Sequence, residues 1–343
     1  MNKIIGLIFL WLYSIGAFSQ TTISKDAFKS ILYNFSEKGG NYPSDNLISN
    51  ELTYLNALDD NKIEQLKEEG AYIGVGPEQN FSYIGYLKPK IAFIVDIRSE
   101  CQTEHLMYKA LFKLSKTPEQ FLNHLFGLNQ KSIDSVWILE KYFEHFDKEK
   151  QDKNTAIKTF QNVVNIIEND FEITLTNGQK KFIQYVLTEF YEKGKQLVFT
   201  NKTGLVKQFP TFEQIILAKT PSGLQKSFLA DLNSYNYVRE MHAKNLIIPL
   251  IGDFAGKKTF KKIASYLTKN QLSVSAFYVS NVESCLSQAQ YEKFMSNLKS
   301  LPINNNSVVI RYHANHTSVQ KIAVFKTHYI PNICFANFIR YEH

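Results

Sequence analysis

The sequence predicts an α/β protein: a Rossmann-like, mostly parallel sheet with a C-terminal antiparallel hairpin and a large helical insertion. Three observations predict it. "AYIGVG" (71–76) and "IAFIVDI" (91–97) are continuous apolar runs joined by a single helix-length segment, the pattern of a β-α-β unit whose strands are covered on both faces. The same strand–helix alternation returns after residue 245. Between the two, 103–193 carries only helical periodicity and is too long for one crossover helix.

Taken in order, residues 22–68 read as helical. "SDNLISNELTYLNAL" opens on Ser44 and Asp45, both good N-caps, and spaces Leu47, Ile48, Leu52 and Leu55 as one helical stripe. After the first strand, "EQNFSYIGYL" is a helix that Pro89 ends. "HLMYKALFKL", "PEQFLNHLFGL", "SIDSVWILEKYFEHF", "TAIKTFQNVVNIIEND" and "QKKFIQYVLTEFYEKG" each carry an apolar stripe; the charge run at 147–154 is the linker candidate, and 200–222 reads as an irregular lid. Leu246 to Leu250 is the third strand and ends in Gly252-Asp253; a helix, the strand "LSVSAFYVSN" and the helix "LSQAQYEKFMSNLKS" follow. "NSVVIRYHA" and "QKIAVFKTHYI", joined at Asn315 to Ser318, read as the terminal hairpin.

The first 19 residues, "MNKIIGLIFLWLYSIGAFS", combine Lys3, an apolar run and the small residues Ala17 and Ser19. This reads as a signal peptide cleaved between Ser19 and Gln20, with a short N-terminal anchor as the alternative, and predicts a periplasmic or secreted product. With 343 residues, 44% of them hydrophobic, the remaining 20–343 form one α/β domain carrying a helical insertion over 103–222. No later run is apolar enough to span a bilayer. The net charge of +7 is spread, with lysines interleaved among acids as in "KEKQDKNTAIK", whereas a nucleic-acid face gathers its charge on one element. Cys101, Cys285 and Cys334 are too few for a disulfide scaffold and read as small buried residues, with Cys285–Cys334 the one candidate bridge.

Ligands of open parallel sheets bind beyond the carboxyl ends of the strands. Gly74 and Gly76 sit at such an end, where glycine lets a ligand approach the backbone, and Asp96 ends the next strand twenty residues after Gly76, where a carboxylate can accept both hydroxyls of a ribose. Gln79 and Asn80 open the following helix; Asp253 follows the third strand; Ser280, Asn281 and Glu283 follow the fourth; Asn46, Asn50 and Glu51 precede the first. Polar residues from several segments thus converge on one rim and predict a pocket for a polar small molecule. "GDFAGKKT" is not a P-loop, because its glycines are one residue too close and Lys258 intrudes. "HANH" lacks a third metal ligand, and strand alternation would separate His313 from His316. No metal site, no G-x-S-x-G elbow and no H-E-x-x-H motif is read.

Gly74-x-Gly76, Asp96 and the terminal hairpin together resemble class I S-adenosylmethionine-dependent methyltransferases. "GAYIGVGPEQNFSYIGYLKPKIAFIVDIR", "SDNLISNE", "GDFAG" and "FYVSNVE" resemble an uncharacterised bacterial family with a methyltransferase-like Rossmann fold, over roughly residues 30–330. The resemblance implies S-adenosylmethionine as cofactor, held by Gly74, Gly76 and Asp96. Two positions depart from it. Tyr72 stands where methyltransferases carry an acid, and Glu78 where they carry a third glycine. Export also separates the protein from cytoplasmic S-adenosylmethionine. Three readings therefore stay open: a methyltransferase-like enzyme, a non-catalytic or differently catalytic exported binding protein on the same fold, and a helical interaction module. The sequence names no catalytic residue, methyl acceptor or oligomeric state.

Overall fold

The computed structural model describes residues 22–129, 136–146, 151–200, 209–313 and 316–322. The expected signal peptide, Cys334 and the core of the charged linker at 147–150 lie outside them.

Among the described residues, six strands form one sheet in the order β3-β2-β1-β4-β5-β6: β1 Ala71–Gly74, β2 Ile91–Asp96, β3 Ile247–Ile251, β4 Val274–Ser280, β5 Ile303–His313 and β6 His316–Lys321. All neighbours are parallel except β5 and β6. β1 and β2 are buried at every position, which is why they read as unbroken apolar runs rather than as alternation. β6 begins at His316, and Asn315 lies outside the described residues. His313 and His316 stand opposite each other in register, because they belong to two antiparallel strands and not to one. Among the described residues they have no companions that would complete a metal site.

The helices are α1 Lys25–Phe35, α2 Asn61–Glu64, α3 Gln79–Leu87, α4 Ser99–Leu114, α5 Pro118–Phe126, α6 Leu139–Phe146, α7 Lys153–Asn165, α8 Asn177–Lys193, α9 Phe212–Ile216, α10 Leu232–Ala243, α11 Thr259–Lys269 and α12 Gln288–Ser300. The strand order reverses between β1 and β4. Right-handed crossovers then place α3, α4 and α10 on one face, with α11 and α12 on the other. α4 packs on β2 and β3 and is the sheet's own crossover helix, while α5 and α7–α9 build outward from α4 and from one another. The lid candidate at 200–222 is partly helical, since α9 falls within it; 201–208 is not described.

The segment 44–58 is not the helix its stripe suggested. Asn46 takes a left-handed φ of 50°, and only Tyr54–Asp59 winds, as a 3₁₀ helix. Leu47 and Ile48 are buried nonetheless: their spacing reflects burial of an irregular strap, not helical periodicity. Cys101 is a buried free thiol. Cys285 is disulfide-bonded, which corrects the reading of three unbonded cysteines.

Phe81, the third residue of α3, is the hub that joins α3 to α4 and α10. It packs edge-to-face against His105, Tyr108, Phe112, Phe228 and His242, all with centroids 5.4–5.5 Å away. Truncating a buried aromatic in such a setting costs about 3–5 kcal/mol. Phe81→Ala is expected to lose stability of that order in urea unfolding; a loss under about 1 kcal/mol would show that the two helical layers are held elsewhere.

Candidate functional site

The turn after β1 is built around one amide. Asn80 Nδ2 donates to the carbonyls of Val75, Gly76 and Pro77 at 3.0, 3.0 and 2.9 Å, and its Oδ1 accepts from the Tyr72 hydroxyl at 2.8 Å. This explains both glycines. A Cβ on Gly74 would lie 1.9 Å from Asn80 Oδ1. Gly76 has φ +83°, a conformation that side chains disfavour. Gly76 O is met from behind by His105 Nε2 at 2.9 Å and by Cys101 Sγ at 3.6 Å. Burial lowers the His105 pKa to about 4, so the imidazole is neutral at pH 7.

Residues 36–51 form a strap that crosses the carboxyl ends of the strands one after another. Glu37 N donates to Ile251 O (2.8 Å) beyond β3, and Gly40 N to Ile97 O (2.8 Å) beyond β2. Arg98 Nη1 donates to Asp45 O at 2.6 Å, and Ser49 N to Glu78 Oε1 at 3.1 Å. Finally the hydroxyls of Tyr278 and Ser280, on β4, donate to the two carboxylate oxygens of Glu51. The helical insertion pins the strap from outside, through Ser44 Oγ to Thr200 O (2.5 Å) and Tyr185 Oη to Asp45 Oδ2 (2.9 Å).

Between strap and strand ends lies a cavity of about 270 Å³. Asn46, Asn50 and Glu51 line it from the strap; Gly76 and Gln79 from the first turn; Asp96 from β2; Asp253 after β3; Ser280 and Asn281 after β4. Gly74, Asn80 and Glu283 do not. Gly74 and Asn80 shape the turn from within, and Glu283 pairs with Arg311 at 3.0 Å. Asn46 and Asn50 reach the cavity although they share no helical face. Residues that patterning did not single out complete the wall, notably Tyr42, Arg98, Phe199 and Phe254. The strap's "GGNYPSD" is turn-forming sequence whose place over the rim follows only from long-range contacts. Ser280, like Asn46, has positive φ, at 53°; backbone strain of this kind gathers at functional sites.

Asp96 is committed to its neighbour. Its Oδ1 accepts Arg98 N (2.9 Å) and Nε (3.2 Å), and its Oδ2 accepts Nη2 (3.1 Å). Both partners are buried. A carboxylate offers about four acceptor positions, so one remains for a ligand, not the pair that a ribose would use. Two further carboxyls lie under the turn. Burial pushes Glu78 up to about 7 and Glu104 well above its ordinary value, and one oxygen of each has no hydrogen-bond partner. The P-loop-like segment is filled from inside: Glu37 Oε1 accepts Lys258 N (2.7 Å) and Thr259 N (2.6 Å) at the start of α11.

With this geometry in view, the comparison with known families is informative about kinship. Residues 47–334 match the model described as "Domain of unknown function (DUF7790)". The chain belongs to this family. The match begins within the strap and takes in every described strand, so the sheet and most of the cavity wall lie inside it, while Tyr42 and Asn46 lie before it. No curated protein matches the chain.

The Asp96–Arg98 pair gives a direct test of its role. Breaking a buried ion pair costs about 3–5 kcal/mol. Asp96→Asn is therefore expected to lose stability of that order in chemical denaturation; an unchanged midpoint would mean that the carboxylate is held for a ligand and not for Arg98.

Proposed function

We propose that this is an exported, methyltransferase-like protein that binds a nucleoside-type small molecule, S-adenosylmethionine or a relative, over the carboxyl ends of β1–β4. The observation that carries the reading is convergence. Four strand ends and a positive-φ glycine turn surround one cavity at the place where the strand order reverses, the position at which open α/β sheets bind ligands. Tyr42, Phe199 and Phe254 offer flat apolar surface for a ring, and Asn46, Asn50, Gln79 and Asn281 offer amide edges. Catalytic residues are not assigned.

A second reading has its own support. In it, the fold serves a non-catalytic or differently catalytic periplasmic or secreted protein that binds another polar small molecule. Arg98 fills three acceptor positions of Asp96, and Tyr72 gives its hydroxyl to Asn80; both choices remove contacts expected of a methyltransferase cofactor site. Thermal melts with S-adenosylmethionine, S-adenosylhomocysteine and adenosine separate the two. A ligand at a hundred times its Kd adds about 2.7 kcal/mol of stability, and the first reading expects such a shift. Gly76→Val should abolish it, because valine at positive φ costs about 1–3 kcal/mol of strain and alters the turn. A wild-type melt that no nucleoside moves would leave only the second reading.

Export is tested separately. Mass spectrometry of the protein from its host is expected to find Gln20 at the N-terminus. An intact Met1 on cytoplasmic protein would overturn the localisation.

A further inference from the structure

We infer that the cavity selects a ligand bearing a positive charge, an ammonium or sulfonium group, and that the Glu51 carboxylate receives it. This rests on reading the cavity as a nucleoside-type site and adds the charge its occupant must carry.

Glu51 is 2% exposed and lines the cavity. Its two oxygens accept hydroxyl hydrogen bonds from Tyr278 and Ser280. Those donors orient a carboxylate but bring no compensating charge. Arg98, the one guanidinium among the described residues of the wall, is spent on Asp96 and on Asp45 O. Among the described residues lining the cavity there are three carboxylates, Glu51, Asp96 and Asp253, against that single cation. A buried carboxylate is costly unless it is paired. Two of the three carboxylates, Glu51 and Asp253, thus have no basic partner among the described residues; Asp253 is half-buried and accepts Ala255 N at 2.8 Å, so Glu51 is the fully buried carboxylate of this wall with no cation against it. Each of its oxygens keeps a second acceptor position beyond the hydroxyl it already holds.

The titration behaviour agrees with the geometry. Burial pushes the Glu51 pKa up to about 7, against the opposing hydrogen bonds of Ser280 and Tyr278. The titratable groups facing it are Tyr278 on β4, Tyr72 on β1, Tyr83 on α3 and Tyr42 in the strap. Burial first, and then mostly nearby negative charge, drives all four upward. They stay neutral near pH 7, so Glu51 is the member of this set that changes charge there.

The sign of the linkage follows. A cation bound against Glu51 lowers its pKa in the complex, so binding releases a proton whenever the free protein holds one. Affinity then rises with pH through 7 and levels off above it. For a free-state pKa of about 7 the loss from pH 8 to pH 6 is about tenfold.

Isothermal titration calorimetry at pH 6, 7 and 8, in two buffers of different ionisation enthalpy, counts the protons. The probes are S-adenosylhomocysteine, which carries an ammonium group across this range, and 5′-methylthioadenosine, which carries no charge. The expected result is proton release and about tenfold weakening from pH 8 to pH 6 for the first, with a flat profile and no release for the second. Glu51→Gln should erase the pH dependence and weaken S-adenosylhomocysteine while leaving 5′-methylthioadenosine bound as before. Binding of both probes with flat profiles and no proton release overturns the inference and leaves the nucleoside reading standing. Binding of neither overturns both. The wild-type proton count decides the matter even if the variant fails to fold.

Discussion

The side-chain amide of Asn80 holds three consecutive carbonyls of the turn after β1 and is itself held by the Tyr72 hydroxyl. Much of the rim depends on this clamp. It excludes any side chain at Gly74 and braces the turn in which Gly76 adopts positive φ. It also fixes the start of α3, so that Phe81, one residue later, enters the ring cluster joining α3 to α4 and α10. A buried amide with its hydrogen bonds made is rigid and specific, whereas the same amide left unpaired would cost about 1–3 kcal/mol. The clamp also leaves Asn80 with nothing to offer a ligand. Asn80 therefore acts on the cavity through the backbone it positions.

The strap turns an ordinary parallel sheet into an enclosed site. An open sheet of this order leaves its strand ends facing solvent, and something must cover them for a small ligand to be desolvated. Residues 36–51 do this with backbone hydrogen bonds over β2 and β3 and with the Glu51 carboxylate over β4. The helical insertion reinforces the strap through Thr200 and Tyr185. Removing α5–α9 while keeping α4, which packs on β2 and β3, would thus loosen the cover of the cavity and leave the sheet that forms its floor in place. Insertion and site are coupled through the strap, a connection that treating 103–222 as a separate interaction module would miss.

Much of the architecture was legible because it follows from short-range chemistry. Continuous apolar runs gave the parallel strands, Pro89 gave the end of α3, and the polar residues after each strand gave the rim. What stayed illegible depended on contacts distant in sequence. Leu47, Ile48, Leu52 and Leu55 are spaced like a helix, yet tertiary burial of a strap selects the same spacing, and Asn46 at φ 50° breaks the helix that propensity favours. His313 and His316 were set apart by alternation along one strand, whereas the antiparallel pairing of β5 and β6 sets them opposite each other. Tyr42 and Phe199 carried no signal, since nothing in their local sequence marks a place in a wall that is assembled from separate segments.

Three acidic side chains around the rim show how a motif can be present without being available. Glu37 fills the helix start at Lys258 and Thr259, where an anion would otherwise bind. Asp96, at the strand end where a ribose carboxylate is expected, is taken by Arg98, two residues along its own chain. Both are satisfied from within the protein, so their positions report on folding before they report on a ligand. Glu51 differs in kind. Its partners are hydroxyls, which orient the carboxylate without neutralising it, and it lies in the cavity wall. Identifying which polar groups the fold has already used, and which it has left short of a partner, separates structural acids from binding acids better than their place in a motif does. By that criterion the proposed binding chemistry centres on β4 and the strap, on the opposite side of β1 from Asp96.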